Sequence, residues 1–138
     1  MGEHFDSPVP PRRWIENYEK FDTPSSRATI DKFRNEHLAS GVIRLVGRVG
    51  EVEPPHCVSP LLLEEQHGKI RVCHDLRLPN CWADPAFDFS LPGLQVLPYI
   101  LSQNSHWSSF DLKSGYHCVK IHPDSQKYFG FELDGEFF

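Results

Sequence analysis

The sequence predicts an α+β fold, in which helices pack on an antiparallel sheet. Three observations predict it: a capped amphipathic helix that begins after Thr23, two strand-like runs joined by the turn "QHG", and a C-terminal part that alternates apolar runs with turn residues. The chain has 138 residues, of which 39% are hydrophobic and 24% are charged. This composition suits one domain with a modest core and is not typical of a disordered chain.

The first helix has a signal at both ends. Thr23 is a capping residue, Pro24 suits the first helical position, and Gly41 is a C-terminal stop. Four residues of the helix lie on one face at spacings i, i+3, i+7 and i+8: Ile30, Phe33, His37 and Leu38. The preceding residues 1–23 are rich in proline and charge and predict an extended arm.

A β-hairpin follows the helix. "VIRLV" at 42–46 predicts a short strand, and "CVSPLLLEE" and "KIRVCHDLR" predict the two strands of the hairpin, with Gly68 in its turn. Alternation places Lys69 and Arg71 on one face of the second strand. Pro60 indicates an edge strand or a bulge in the first.

The C-terminal part predicts one broken helix and several short strands. The helix begins at Ser90 and contains Pro98. "WSSFDLK", "CVKI" and "YFGFEL" predict strands, "HPDSQK" a helical turn, and Asp134-Gly135 a hairpin turn. The final "EFF" predicts an apolar sheet edge without a partner strand, which indicates a truncated domain and a place where a protein partner could add.

The net charge and the N-terminal sequence bear on three classes of protein: nucleic-acid-binding, secreted and membrane proteins. The formal net charge of −5 counts against nucleic-acid binding by the isolated chain, although a local basic patch is compatible with it. The acidic N-terminus is no signal peptide, and no apolar run is long enough to cross a membrane. An intracellular protein without membrane contact is therefore expected, and no signal specifies its location further.

Some residues suit phosphate and metal chemistry. Cations such as Lys69 and Arg71 can hold a polyphosphate, and Asp111 can hold Mg²⁺ next to the turn Ser114-Gly115. From the residues alone, a solvated strand face is the favoured interpretation of the two cations. A cap for the following turn explains Asp111 as well as a metal role does.

Two segments carry a resemblance to a known family. "HGKIRVCHDLRLPN" and, further on, "FDLKSGYHCVKIHPDSQKYFGF" resemble the reverse transcriptases of retrotransposons, especially those of tyrosine-recombinase and gypsy-type elements. The resemblance covers residues 24–138. It implies the fingers (24–106) and the first part of the palm (107–138) of a right-hand polymerase. The implied reaction is DNA synthesis on an RNA or DNA template-primer from deoxynucleoside triphosphates with Mg²⁺.

The resemblance also implies roles for particular residues. Asp111 matches the first catalytic aspartate, and the carbonyl of Leu112 would share its Mg²⁺ ion. Tyr116 matches the residue that selects deoxynucleotides by clashing with a 2′-hydroxyl. The remaining matched residues are the triphosphate-binding Lys69, Arg71, Ser114 and Gly115, and the template-supporting Asp75, Arg77 and Asn80.

Three departures from the family pattern bear on activity. Glu64, Glu65 and Gln66 stand where lysines are usual, and Pro79 stands where leucine is usual. The second catalytic aspartate motif is absent, so we expect little polymerase activity from this chain alone. The alternatives are a non-catalytic, retroelement-derived binding module and a fragment without a stable fold.

Overall fold

The computed structural model describes residues 9–83 and 90–138. They form two compact units, residues 9–83 with 120–138 and residues 90–119, and each unit is described by itself. In chain order the elements are β1 (Arg13–Trp14), α1 (Pro24–Ser40), β2 (Gly47–Arg48), β3 (Cys57–Val58), β4 (Leu61–Gln66), β5 (Lys69–His74), α2 (Arg77–Asn80), α3 (Leu97–Ile100), α4 (Pro123–Gln126), β6 (Glu132–Leu133) and β7 (Glu136–Phe137). Of these, α3 belongs to the second unit.

The described residues mix helix and sheet, as an α+β fold does. Instead of one antiparallel sheet, they contain three small sheets. β2, β7 and β6 form an antiparallel sheet in that order, β4 and β5 pair antiparallel, and β1 and β3 pair parallel. None of the described helices has the length and apolar character needed to cross a membrane.

Helix α1 confirms its sequence signals. The hydroxyl of Thr23 accepts a hydrogen bond from the backbone N–H of Ser26, and Gly41 ends the helix with a φ of 73°. A left-handed C-cap of this kind favours glycine because it has no Cβ. Ile30 is fully buried, but Leu38 is exposed, so the last turn contributes less to the core than its pattern predicts.

The core of the first unit gathers side chains from distant parts of the chain. Its buried members are Phe21, Ile30, Leu61, Phe131, Leu133 and Phe138. The Phe131 and Phe138 rings stack with centroids 5.4 Å apart, and their backbones exchange two hydrogen bonds. The C-terminal hairpin thus supplies half of this core.

The predicted open edge at "EFF" is wrong for the described residues. Strand β7 lies between β2 and β6, because Gly47 pairs with Phe137 and Arg48 with Glu136. The predicted strand at 42–46 is also displaced. Val46 donates its N–H to the carbonyl of Phe137, and regular pairing begins only at Gly47.

The described part of the arm, residues 9–23, is mostly exposed but attached to the rest of the first unit. Its strand β1 pairs with β3, and the Asn17 amide joins two other strands. The amide oxygen accepts from the N–H of Leu61 at 2.8 Å, and the amide nitrogen donates to the carbonyl of Glu132 at 3.0 Å. These contacts attach the arm to the first unit, and its Phe21 joins the core.

The described residues between 78 and 121 contain less regular structure than the sequence predicts. The helix expected from Ser90 is a 3-10 turn at Leu94–Val96 followed by α3, with Pro98 in the first turn, where proline is tolerated. The strand expected at 107–113 is not formed. The strand expected at 118–121 is also absent, and a 3-10 turn occupies Gly115–Cys118. Of the loop expected at 78–89, residues 84–89 lie outside the described residues, and α2 occupies 77–80.

Candidate functional site

The β4–β5 hairpin presents the candidate phosphate-binding cations. His67 and Gly68 both have positive φ, 53° and 70°, as a two-residue type I′ turn requires. Gln66 therefore pairs with Lys69, and Glu64 pairs with Arg71. This register confirms the predicted hairpin and the common face of the two cations.

Lys69 and Arg71 are exposed on that face. Among the described residues, neither forms an ion pair within 4 Å. Glu64 stands directly opposite Arg71, so a carboxylate faces one cation across the strands. The pair is accessible to an anion, but its positive field is weaker than that of two isolated cations.

Two of the predicted template residues form a tight cluster. The Arg77 guanidinium donates to both oxygens of Asp75, at 2.9 and 2.7 Å, and the Tyr18 hydroxyl donates to Asp75 Oδ2 at 2.8 Å. These partners hold the pKa of Asp75 well below its usual range, with the Arg77 bonds the largest cause. The Asp75 side chain is 8% exposed and that of Arg77 is 83% exposed, so the carboxylate orients a guanidinium that faces solvent. Tyr18 carries no sequence signal for this role.

Asn80 lies at the C-terminal end of α2, in the same unit. Its backbone N–H bonds to the carbonyl of Leu76 at 2.9 Å, and its side chain is exposed. Pro79, directly before it in α2, is buried.

The remaining predicted residues belong to the second unit. Asp111 was expected at the end of a buried strand, and this expectation is wrong. Asp111 is exposed, and Phe110 before it is 90% exposed. With no strand partner, residues 107–112 bury too little apolar surface to enclose a carboxylate.

The turn after Asp111 does form. Ser114 takes the left-handed conformation (φ 55°), and its carbonyl accepts the N–H of His117 at 2.8 Å. Gly115 starts the 3-10 turn that carries Tyr116, whose side chain is 97% exposed. Leu112 is also exposed.

The described residues supply few ligands for Mg²⁺. Magnesium prefers six oxygen ligands in an octahedron, usually from one or two carboxylates, water and substrate phosphates. The Asp111 carboxylate and the Leu112 carbonyl would provide two of them. No group of three His, Cys, Asp or Glu side chains suited to a metal occurs in the described ranges. Two donors are too few for a closed protein site, so an ion held by Asp111 and Leu112 would need its remaining ligands from water and a triphosphate.

Two pockets of the first unit differ in charge. One, of about 430 Å³, is lined by five carboxylates and two cations, and this acidity disfavours an anionic ligand. The other, of about 370 Å³, we call the neutral pocket; its described lining carries no charged residue. Six of its lining residues are Pro10, Pro79, Asn80, Trp82, Ser125 and Tyr128. Sequence reasoning missed this pocket, because its walls come from segments that no local pattern connects.

Compared with family models, curated proteins and solved structures, the chain shows no significant match.

Proposed function

We propose that this chain is the fingers-like region and the first palm-like part of a reverse transcriptase domain of the retrotransposon kind. The observation that carries the proposal is the likeness of the segment from Phe110 to Phe131, "FDLKSGYHCVKIHPDSQKYFGF". In the full-length family, the reaction is template-directed DNA synthesis from deoxynucleoside triphosphates with Mg²⁺.

Several local geometries support the proposal. The hairpin leaves Lys69 and Arg71 accessible to a triphosphate. Arg77 is oriented by Asp75 and exposed, as a contact to a template strand requires. In the second unit, the Ser114-Gly115 turn and the exposed Tyr116 ring follow Asp111 directly.

The chain by itself should be inactive. Two-metal phosphoryl chemistry needs carboxylates that hold ions about 4 Å apart. The sequence offers Asp111 but no second aspartate motif, and loss of such a unit costs about a thousandfold or more in rate. A primer-extension assay on the 138-residue chain with Mg²⁺ should give no product.

A chimaera provides the positive test. Residues 110–131 replace the corresponding segment of an active retrotransposon reverse transcriptase, and primer extension is measured. The chimaera should keep activity, and Asp111→Asn should lower the rate about a thousandfold. Asp124→Asn is the matched control, since Asp124 is an exposed aspartate of the same segment and should be dispensable. A folded chimaera without activity, or one that tolerates Asp111→Asn, would refute the proposal.

The alternative is a non-catalytic binding module. The observation that favours it lies in the second unit, where several large apolar side chains are at least 80% exposed: Leu91, Leu94, Tyr99 and Phe110. Exposed apolar side chains mark an interaction surface where they form a contiguous patch. Concentration-dependent association in sedimentation, together with an inactive chimaera, would favour this alternative.

A further inference from the structure

The neutral pocket has walls suited to a flat, uncharged ring. Trp82 and Tyr128 contribute aromatic surfaces, and Pro10 and Pro79 contribute aliphatic rings. Its volume of about 370 Å³ lies within the range of small-ligand sites, about 300–1,000 Å³. Because no described lining residue is charged, a neutral heterocycle fits the pocket better than a carboxylate or a phosphate does.

Contacts outside the pocket hold its walls in place. His56 packs edge-on against the Tyr128 ring, with centroids 5.2 Å apart, and its Nε2 is 2.7 Å from the carbonyl oxygen of Pro10. The backbone N–H of Trp82 donates to the carbonyl of Pro79 at 3.0 Å. Walls that are ordered before binding reduce the entropic cost of taking up a ligand.

The polar groups of the pocket match the edge of a base. Asn80 and Ser125 are polar lining residues, and neither forms a side-chain hydrogen bond to another described residue. An amide offers both a donor and an acceptor, as does the hydrogen-bonding edge of a nucleobase. Lys127 is not a lining residue, but its Nζ lies over the ring of the lining residue Tyr128, 5.3 Å from the centroid.

We propose that the neutral pocket binds one unpaired nucleobase of a single-stranded nucleic acid. The base would stack on Trp82 or Tyr128 and use the Asn80 amide at its edge. The proposal rests on the proposed function for the class of partner, because a polymerase template presents unpaired bases. Its test needs neither metal nor deoxynucleotide.

The experiment makes Trp82 the reporter. Trp14→Phe and Trp107→Phe in the full chain leave Trp82 as the single tryptophan. This protein is titrated in EDTA with oligo(dT), with an abasic oligonucleotide of the same length, and with a proline-rich peptide. Oligo(dT) should quench the fluorescence saturably, and the abasic strand and the peptide should not.

Two variants locate the binding. Stacking on an aromatic side chain contributes about 1–3 kcal/mol per base, so Tyr128→Leu should weaken oligo(dT) binding about 5- to 150-fold. Asn80→Ala, at an exposed position, should also weaken it, and provides the test if Tyr128→Leu does not fold. Tyr99→Leu is the matched control, since Tyr99 is exposed and lies outside the pocket lining.

Each contrary result is decisive. Equal binding of the abasic strand would show phosphate contact without base recognition, and binding of the peptide alone would show a peptide site; either overturns the proposal. Unchanged affinity in folded Tyr128→Leu and Asn80→Ala overturns it as well. Base binding together with an inactive chimaera would leave this proposal standing and refute the polymerase proposal alone.

Discussion

The Asn17 side chain connects three segments of the first unit, and its removal should destabilise the fold. It accepts the N–H of Leu61 and donates to the carbonyl of Glu132, so it joins the arm to β4 and β6. In Asn17→Ala, both backbone groups lose their partners. Leu61 is 0% exposed, whereas Glu132 is partly exposed.

This difference in burial sets the magnitude. A buried donor left without a partner costs about 1–3 kcal/mol, and loss of an ordinary hydrogen bond at a partly exposed carbonyl costs about 0.5–1.5 kcal/mol. The free energy of unfolding should fall by roughly 2–4 kcal/mol in total. With a urea m value of about 2 kcal/mol/M, the unfolding midpoint should fall by roughly 1–2 M.

Urea unfolding followed by circular dichroism measures the effect. Glu19→Ala is the matched control, because the Glu19 carboxylate accepts the N–H of Leu63, two residues further along β4, at an exposed position. Water can replace that partner, so the loss should stay below about 1 kcal/mol. If the two variants lose equal stability, or if Asn17→Ala leaves the midpoint unchanged, burial of the Leu61 N–H is not what makes Asn17 important.

Three further predictions concern pH, packing and charge. Burial holds the pKa of His74 below its usual value. The unfolded chain therefore binds a proton that the folded chain excludes, so stability falls as pH drops below about 6.5. When the urea unfolding midpoint is plotted against pH, His74→Gln should flatten this part of the curve. His106→Gln should leave the curve as it is. Equal curves for the two variants would contradict the reasoning. Gly130→Ala would place a Cβ 2.5 Å from a proline ring and 2.9 Å from a backbone carbonyl. It should lower the free energy of unfolding by about 1–3 kcal/mol. Gly115→Ala is the control, because its Cβ meets only an ordinary van der Waals contact and should cost no stability. If Gly130→Ala leaves the stability unchanged, the neighbouring atoms must shift to accommodate the Cβ. Asp134→Asn should lower the free energy of unfolding, measured by thermal unfolding, by less than about 1 kcal/mol. The reason is that the ion pairs of Asp134 with Arg27 and Arg34 of α1 are partly exposed to solvent. The loss should shrink in high salt, and a salt-independent loss would point to the turn geometry instead.

Elements specified by neighbouring residues could be predicted from the sequence. Thr23, Pro24 and Gly41 mark the ends of α1 because caps act on backbone groups within one turn. The turns at His67-Gly68 and Asp134-Gly135 form as two-residue hairpins because these residues accept positive φ. The cluster of Asp75 and Arg77 likewise lies within three residues.

Elements that depend on a distant partner could not be predicted in this way. The apolar runs at 107–113 and 118–121 have strand-like composition, but a strand needs a second chain segment beside it, and neither run pairs with another described segment. Asp111 consequently lies at an exposed position. Its predicted role also depends on the second catalytic aspartate motif, which the 138 residues do not contain.

The sequence by itself determined the caps, the turns, the register of the β4–β5 hairpin and the residues that resemble a polymerase. Each of these depends on interactions between residues close along the chain. Only the tertiary structure decided that β7 pairs with β2, that Asn17 joins the arm to β4 and β6, and that Trp82 and Tyr128 share one pocket. These arrangements join residues more than forty positions apart, and they depend on packing and burial, which no local pattern encodes.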